Sequence, residues 1–190
     1  EINTKPHFVI DFDSTFTQVE ALDILGEISL EKHQEKEERL RQIKEVTDLG
    51  MAGELSLRES LEARIKILDA KESHLPELVN RLRKLISKSI SRNKSFFLEN
   101  AENTFIVSNG FKEFIVPVVT DLGIKAEHVF ANDFVFDQQG NIIDFNRDNL
   151  LSSNGGKVRQ IEQLQLQGEI HMIGDGYTDY EVKKAGIAKK

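Results

Sequence analysis

Asp11 and Asp13 stand one residue apart, directly after the apolar run Phe8 to Ile10 and directly before the hydroxyl residues Ser14 and Thr15. Side chains of a strand alternate between faces, so carboxylates two positions apart point to one side. Two such groups that close repel unless a cation or a shared proton relieves them. Hard oxygen ligands of this kind suit Mg²⁺. Taken alone, the pair reads first as an acidic cap on a strand-to-helix turn. Three further stretches carry reactive side chains: Ser108-Asn109-Gly110, Lys157 after Gly155-Gly156, and Gly174-Asp175-Gly176-Tyr177-Thr178-Asp179. Alone, the first is a turn signal and Lys157 a surface lysine. Together they supply what phosphoryl transfer requires: a nucleophile, positive charge for the phosphate oxygens and a proton for the leaving group. A carboxylate can be the nucleophile, Mg²⁺ and Lys157 the charge. The Ser108 hydroxyl and the backbone N–H groups near Asn109 and Gly110 can bind phosphate oxygens.

These side chains share a site only if a parallel sheet brings them to one edge. Phe8 to Ile10, Thr104 to Val107, Val129-Phe130 and Ile170 to Ile173 read as short buried strands, each bounded by polar residues. Open α/β sheets bind ligands at the carboxyl ends of their strands, where Asp11/Asp13, Ser108 and Asp175/Asp179 fall. Between the first two strands the chain reads as helical from about Thr17 to Ser91, with no strand. Thr17 and Glu20 form one T-x-x-E capping box, Ser56 and Glu59 an S-x-x-E equivalent. Glu31 to Glu45 is a charged amphipathic helix, and Pro76 suits the first position of another. Phe111 to Leu122 is helical, with Pro117 expected to kink it or shift its start. Phe134 to Phe145 is a hairpin around Gln138 to Asn141. Lys157 opens a further helix, and a last one runs to about Ala185.

Composition narrows the partners. A chain of 190 residues with 39% hydrophobic and 30% charged residues can build one sizeable core, with or without an insertion. Its net charge of −7 opposes nucleic acid as a partner, though not a small phosphorylated molecule. No apolar run reaches the ~20 residues of a membrane span. The absence of cysteine removes disulfides and thiolate metal sites and fits a cytoplasmic protein. The chain starts at Glu1 and stops soon after a helix-like segment, where a doubly wound sheet would continue. It therefore reads as a fragment, or one domain of a longer polypeptide.

In order, D-x-D-S-T, S-N-G, a lysine and G-D-G-x-x-D resemble the haloacid dehalogenase superfamily of phosphatases, along nearly the whole chain. Within it the chain is most similar to the phosphoserine phosphatase family. The resemblance implies a Rossmann-like α/β core with a parallel sheet, residues 1–16 and 92–190, lacking its C-terminal end. A small helical cap of the C1 type, residues 17–91, is inserted in it. It implies Asp11 as nucleophile and Asp13 as the acid that protonates the leaving oxygen and later the base that activates water. Mg²⁺ is implied on Asp11, Asp175 and the backbone carbonyl of Asp13, with Asp179 steadying the metal shell or Lys157. Lys157 and Ser108 would hold the phosphoryl group.

Arg64 lies on one helical stripe with Leu57, Leu61, Ile65 and Leu68, either snorkelling at its edge or held for an anion. Periodicity does not choose between the two. The family resemblance does: Met51, Gly53, Leu55, Ser60, Leu61 and Arg64 reproduce the segment whose arginine takes a substrate carboxylate. Glu20 matches the glutamate that takes its ammonium. The implied reaction is Mg²⁺-dependent hydrolysis of O-phospho-L-serine to serine and phosphate through an aspartyl phosphate. Three positions depart from the family's usual residues: Asn109 for glycine, Thr178 for asparagine and Leu57 for phenylalanine. Three alternatives stand beside this reading. One is another small phosphomonoester or an alcohol acceptor, one a phospho-accepting signalling receiver, and one a catalytically silent binding domain.

Overall fold

A computed structural model describes residues 5–189. Four strands, β1 (His7–Ile10), β2 (Thr104–Phe111), β3 (Val129–Asn132) and β6 (Ile170–Ile173), form a parallel sheet in the order β3-β2-β1-β6. Phe8 pairs with Thr104 on one side of β1 and with His171 on the other. A separate antiparallel pair, β4 (Phe134–Phe136) and β5 (Ile142–Phe145), is the expected hairpin.

Side-chain alternation explains why the central strands carry apolar residues on both faces. Ile10 and Ile106 face one core, whereas Val9, Phe105 and Val107 face the other. The first core is closed by α7 (Lys112–Val119), through Phe114, Ile115 and Val118, and continues into the helices that follow β1. The second is closed by α8 (Gly156–Gln163) through Ile161 and by α9 (Tyr177–Lys184) through Val182.

Between β1 and β2 the ordered elements are helical: α1 (Ala21–Ser29), α2 (Lys36–Met51), α3 (Leu57–Leu68), α4 (Leu75–Lys84), α5 (Lys88–Arg92) and α6 (Lys94–Glu99), with short 3₁₀ turns. The outgoing and returning segments run side by side. Gln18 N–H donates to the Leu85 carbonyl (2.8 Å), and Ser87 N–H donates to that of Phe16 (2.9 Å). Thr17 and Ile86 thus form an isolated antiparallel bridge, which the helical period of the sequence does not suggest.

Several expected boundaries are corrected. Strand β2 does not stop at Val107; it runs through Ser108-Asn109-Gly110 to Phe111, with its register against β3 shifting after Val107. The turn propensity of Asn-Gly is absorbed by that irregularity. The Ser56/Glu59 capping box forms as expected, but the Thr17/Glu20 box does not. Glu20 is itself the residue before α1, and Thr17 Oγ1 lies 3.1 Å from the Val19 carbonyl. Pro76 occupies the second position of α4, which begins at Leu75. The charged helix starts at Lys36, not Glu31, and the last one ends at Lys184. Helix α7 starts at Lys112 and contains Pro117, whose missing N–H faces a carbonyl in the first turn.

Candidate active site

Asp11 follows the last residue of β1, and its N–H donates to the Ile173 carbonyl of β6 (2.9 Å). The chain then makes one wide turn, Phe12–Phe16, closed by Thr17 N–H donating to the Phe12 carbonyl (3.0 Å). Within it Ser14 adopts φ 55°, a left-handed conformation that an L-residue tolerates only when its surroundings fix it. Here its hydroxyl donates to Glu20 Oε1 (2.6 Å) and its N–H to the Val19 carbonyl (3.2 Å). The turn sends Asp11 and Asp13 to different partners. Asp11 Oδ1 accepts from Phe12 N–H (2.7 Å), and Asp13 Oδ1 accepts from Ala21 N–H at the start of α1 (2.7 Å). That last bond does the work expected of the missing capping box.

Lys157 is brought under Asp11 by α8. Gly155 takes φ +68°, and a Cβ on Gly156 would overlap the Leu150 carbonyl, so the paired glycines are what let the helix start here. The Lys157 ammonium is 2% exposed and lies 2.8 Å from Asp11 Oδ2 and 2.6 Å from Asp179 Oδ1. Burial alone would lower its pKa, but Asp11 and Asp179 outweigh that and hold it above the ordinary lysine value. Asp179 sits in the first turn of α9 and accepts from Gly176 N–H (3.1 Å). A side chain on Gly174 would collide with its carboxyl group. Burial and the nearby Asp11 push the Asp179 pKa up to about 6 against the pull of Lys157.

Oxygen atoms of Asp11, Asp175 and Asp179 lie within 4.8 Å of one another. Three carboxylates served by one ammonium leave an excess of negative charge, and an all-oxygen donor set fits Mg²⁺. Asp175 is exposed and accepts from the Thr15 hydroxyl (2.9 Å), which joins the first loop to the last. The Asp13 carboxylate lies outside this group.

Asp13 is instead enclosed beside Glu20 and β2. Burial, then Glu20 and Asp11, hold its carboxyl well above the usual carboxylate range, against the opposing pull of Ala21 N–H and Arg64. Gly110 makes room for it, since a Cβ there would stand 2.9 Å from Asp13 Oδ2 and 3.3 Å from Ser108 Oγ. Ser108 is 1% exposed, and its Oγ accepts from Gly110 N–H (3.0 Å). The Asn109 amide is committed elsewhere, donating to the Leu151 carbonyl (2.8 Å), so this residue offers the site its backbone.

A cavity of about 690 Å³ joins these groups to the helices. Asp11, Asp13, Ser108, Asn109, Gly110, Asp175 and Thr178 line it from the sheet, and Glu20, Met51 and Arg64 from the helical side. Lys157 and Asp179 lie behind Asp11. Arg64 is buried on α3 beside Leu61, Ile65 and Leu68. Its Nε donates to the Ser60 carbonyl (3.4 Å), and among the described residues no carboxylate lies within 4 Å of it. Burial lowers its pKa, while Glu20, Asp23 and Asp13 oppose that shift. Glu20 is raised by burial, with the Ser14 hydroxyl and Arg64 pulling the other way.

The residue patterns miss Thr47, Tyr177 and Glu181, which also line the cavity. Thr47 left a readable trace: it lies four residues after Ile43, a polar residue on the buried stripe of α2. Its hydroxyl lies 3.1 Å from Asp23 Oδ1 and 3.0 Å from the Ile43 carbonyl. Tyr177 and Glu181 carry no such signal, being polar residues of α9 on either side of Thr178.

A family model described as haloacid dehalogenase-like hydrolase matches residues 8–183. The chloroplastic phosphoserine phosphatase of Arabidopsis thaliana is 30% identical over 181 residues, 94% of this chain and 59% of the relative. The phosphoserine phosphatase of Homo sapiens is 27% identical, over 90% of this chain and 74% of the relative. The chain thus spans about three-fifths of the Arabidopsis protein it matches. A crystal structure of a phosphoserine phosphohydrolase-like protein from Francisella tularensis superposes with a TM-score of 0.85 at 29% identity, covering 98% of this chain and 85% of that one. A substrate-bound phosphoserine phosphatase complex shares the fold, with a TM-score of 0.70 at 20% identity over 96% of this chain and 83% of that one.

Proposed function

The chain belongs to the haloacid dehalogenase-like hydrolases, and on that basis we propose that it hydrolyses O-phospho-L-serine to L-serine and phosphate with Mg²⁺. The observation that carries the substrate is Arg64. A buried guanidinium with no carboxylate partner among the described residues, opening into the same cavity as Glu20 and Asp11, suits an anion. With Glu20 beside it, the pair suits the carboxylate and ammonium of a free amino acid. The named relatives support this reading, since several are phosphoserine phosphatases.

In this mechanism the Asp11 carboxylate, oriented by Phe12 N–H and Lys157, attacks phosphorus. The bond from phosphorus to the serine oxygen breaks, and Asp13 gives that oxygen its proton, a role suited to a carboxyl whose pKa burial raises. Asp13, now ionised, takes a proton from the water that attacks the aspartyl phosphate, releasing phosphate and restoring Asp11. The Ser108 hydroxyl and the backbone of Asn109 and Gly110 receive phosphoryl oxygens. Asp11, Asp175 and the Asp13 carbonyl would hold Mg²⁺, which when bound neutralises phosphoryl charge, while Asp179 steadies Lys157. Residues 17–91, entered and left at the paired segments around Thr17 and Ile86, act as the cap over the substrate.

Phosphate release from O-phospho-L-serine tests this directly. Turnover with Mg²⁺, abolished by EDTA and by Asp11→Asn, is expected. Wild-type protein that releases no phosphate from O-phospho-L-serine would refute the assignment.

A further inference from the structure

Helix α3, which carries Arg64, is held at its first two turns by one stretch of the core, residues 144–154. Leu57 N–H donates to Asn154 Oδ1 (2.9 Å). Arg58 Nη2 donates to the Arg147 carbonyl (2.8 Å) and lies 3.3 Å from Ser152 Oγ. Glu62 pairs with Arg147, which Asp144 also holds (3.1 Å). Leu57 N–H is one of the helix's N-terminal donors that lack an intrahelical acceptor. The Ser56 hydroxyl already serves Glu59 N–H, so Asn154 satisfies a donor that the capping box leaves open.

Asn154 is three residues from Lys157, with Gly155 and Gly156 between them. One side chain therefore connects the helix that presents Arg64 to the loop that places Lys157 under Asp11. These contacts are polar and exposed, and water replaces such bonds at little net cost. Such bonds set the position of the N-terminal end of a helix whose Leu61, Ile65 and Leu68 are already held in the apolar core.

We propose that Asn154 is a positioning residue, whose bond to Leu57 N–H docks α3 on the core and sets Arg64 and Lys157 at one fixed separation. The inference rests on the phosphoserine reading for its kinetic part, because only a substrate held between Arg64 and the Asp11 that Lys157 orients senses that separation.

Two readouts test it. Asn154→Ala is expected to raise KM for O-phospho-L-serine about three- to tenfold, the worth of one hydrogen bond, with little change in kcat. Asn154→Asp, whose carboxylate accepts the same N–H, is expected to restore KM. Turnover of p-nitrophenyl phosphate, which has neither ammonium nor carboxylate, should follow wild type. The chain has no cysteine, so Lys44→Cys on α2 and Lys183→Cys on α9 take spin labels at two exposed positions only. The distance distribution between them should broaden in Asn154→Ala and narrow again in Asn154→Asp. An unchanged distribution overturns the proposal, as does an unchanged KM or an equal loss on both substrates. If wild type does not hydrolyse phosphoserine, the proposed function falls, and the label distances alone decide: broadening supports the docking role, no change overturns it.

Discussion

Asp13 accepts the first N–H of α1 on one oxygen and faces Gly110 with the other, beside Glu20. Its carboxyl therefore keeps its proton above the range where an unfolded chain, near pH 3.9, has lost it. Between those two values the folded protein binds more protons than the unfolded one, so stability falls as pH rises through the window. Asp13→Asn keeps the acceptor for Ala21 N–H and removes the titration. It should melt a few degrees above wild type at pH 7, with the difference gone below about pH 4, while kcat falls about 10²- to 10⁴-fold. Calorimetry with steady-state rates checks this, and a variant less stable than wild type at pH 7 would contradict it. Asp179 adds a second pH effect. With its pKa pushed up to about 6, Asp179 lends its negative charge to a cation held beside it on Asp11 and Asp175 at pH 7 but much less of it at pH 5. Mg²⁺ should raise the melting temperature more at pH 7 than at pH 5.

At the scale of elements, much of the site was legible because glycines and hydroxyls mark where strands end and helices begin. Asp11, Lys157 and Asp179 were placed by such punctuation, and the sheet does bring them together. The Ser56 box was readable because both of its partners are local. The start of α1 was not, because its cap comes from Asp13, eight residues upstream, and a T-x-x-E pattern imitated one. The bridge between Thr17 and Ile86 was hidden for a similar reason, pairing residues almost seventy positions apart. Two substitutions separate local from long-range causes. Ser56→Ala should cost about 1 kcal/mol, the usual worth of a cap. Gly156→Ala should cost more, about 1–3 kcal/mol, and also reduce turnover, because it moves the helix that carries Lys157. Denaturant melts with rates measured alongside distinguish the two. Equal costs without loss of turnover would show that α8 has slack.

At the scale of the whole molecule, the proposed function divides the labour between a sheet edge that would handle the phosphoryl group and a helical layer that would handle the rest of the substrate. The charge pattern agrees with that division: the carboxylates gather around Asp11, and the buried guanidinium of Arg64 stands across the same cavity. Chemistry and selectivity should then separate under mutation. A site built to bind a polar group rejects analogues that lack it strongly, because its own buried groups are left unpaired. The direct measurement is kcat/KM for O-phospho-L-serine against O-phosphoethanolamine, which keeps the ammonium and lacks the carboxylate, in wild type and Arg64→Ala. Wild type should prefer phosphoserine by about 10²-fold or more, and Arg64→Ala should erase that preference while still hydrolysing phosphoethanolamine. Equal use of both substrates by wild type, or an equal loss on both in the variant, would contradict the role given to Arg64.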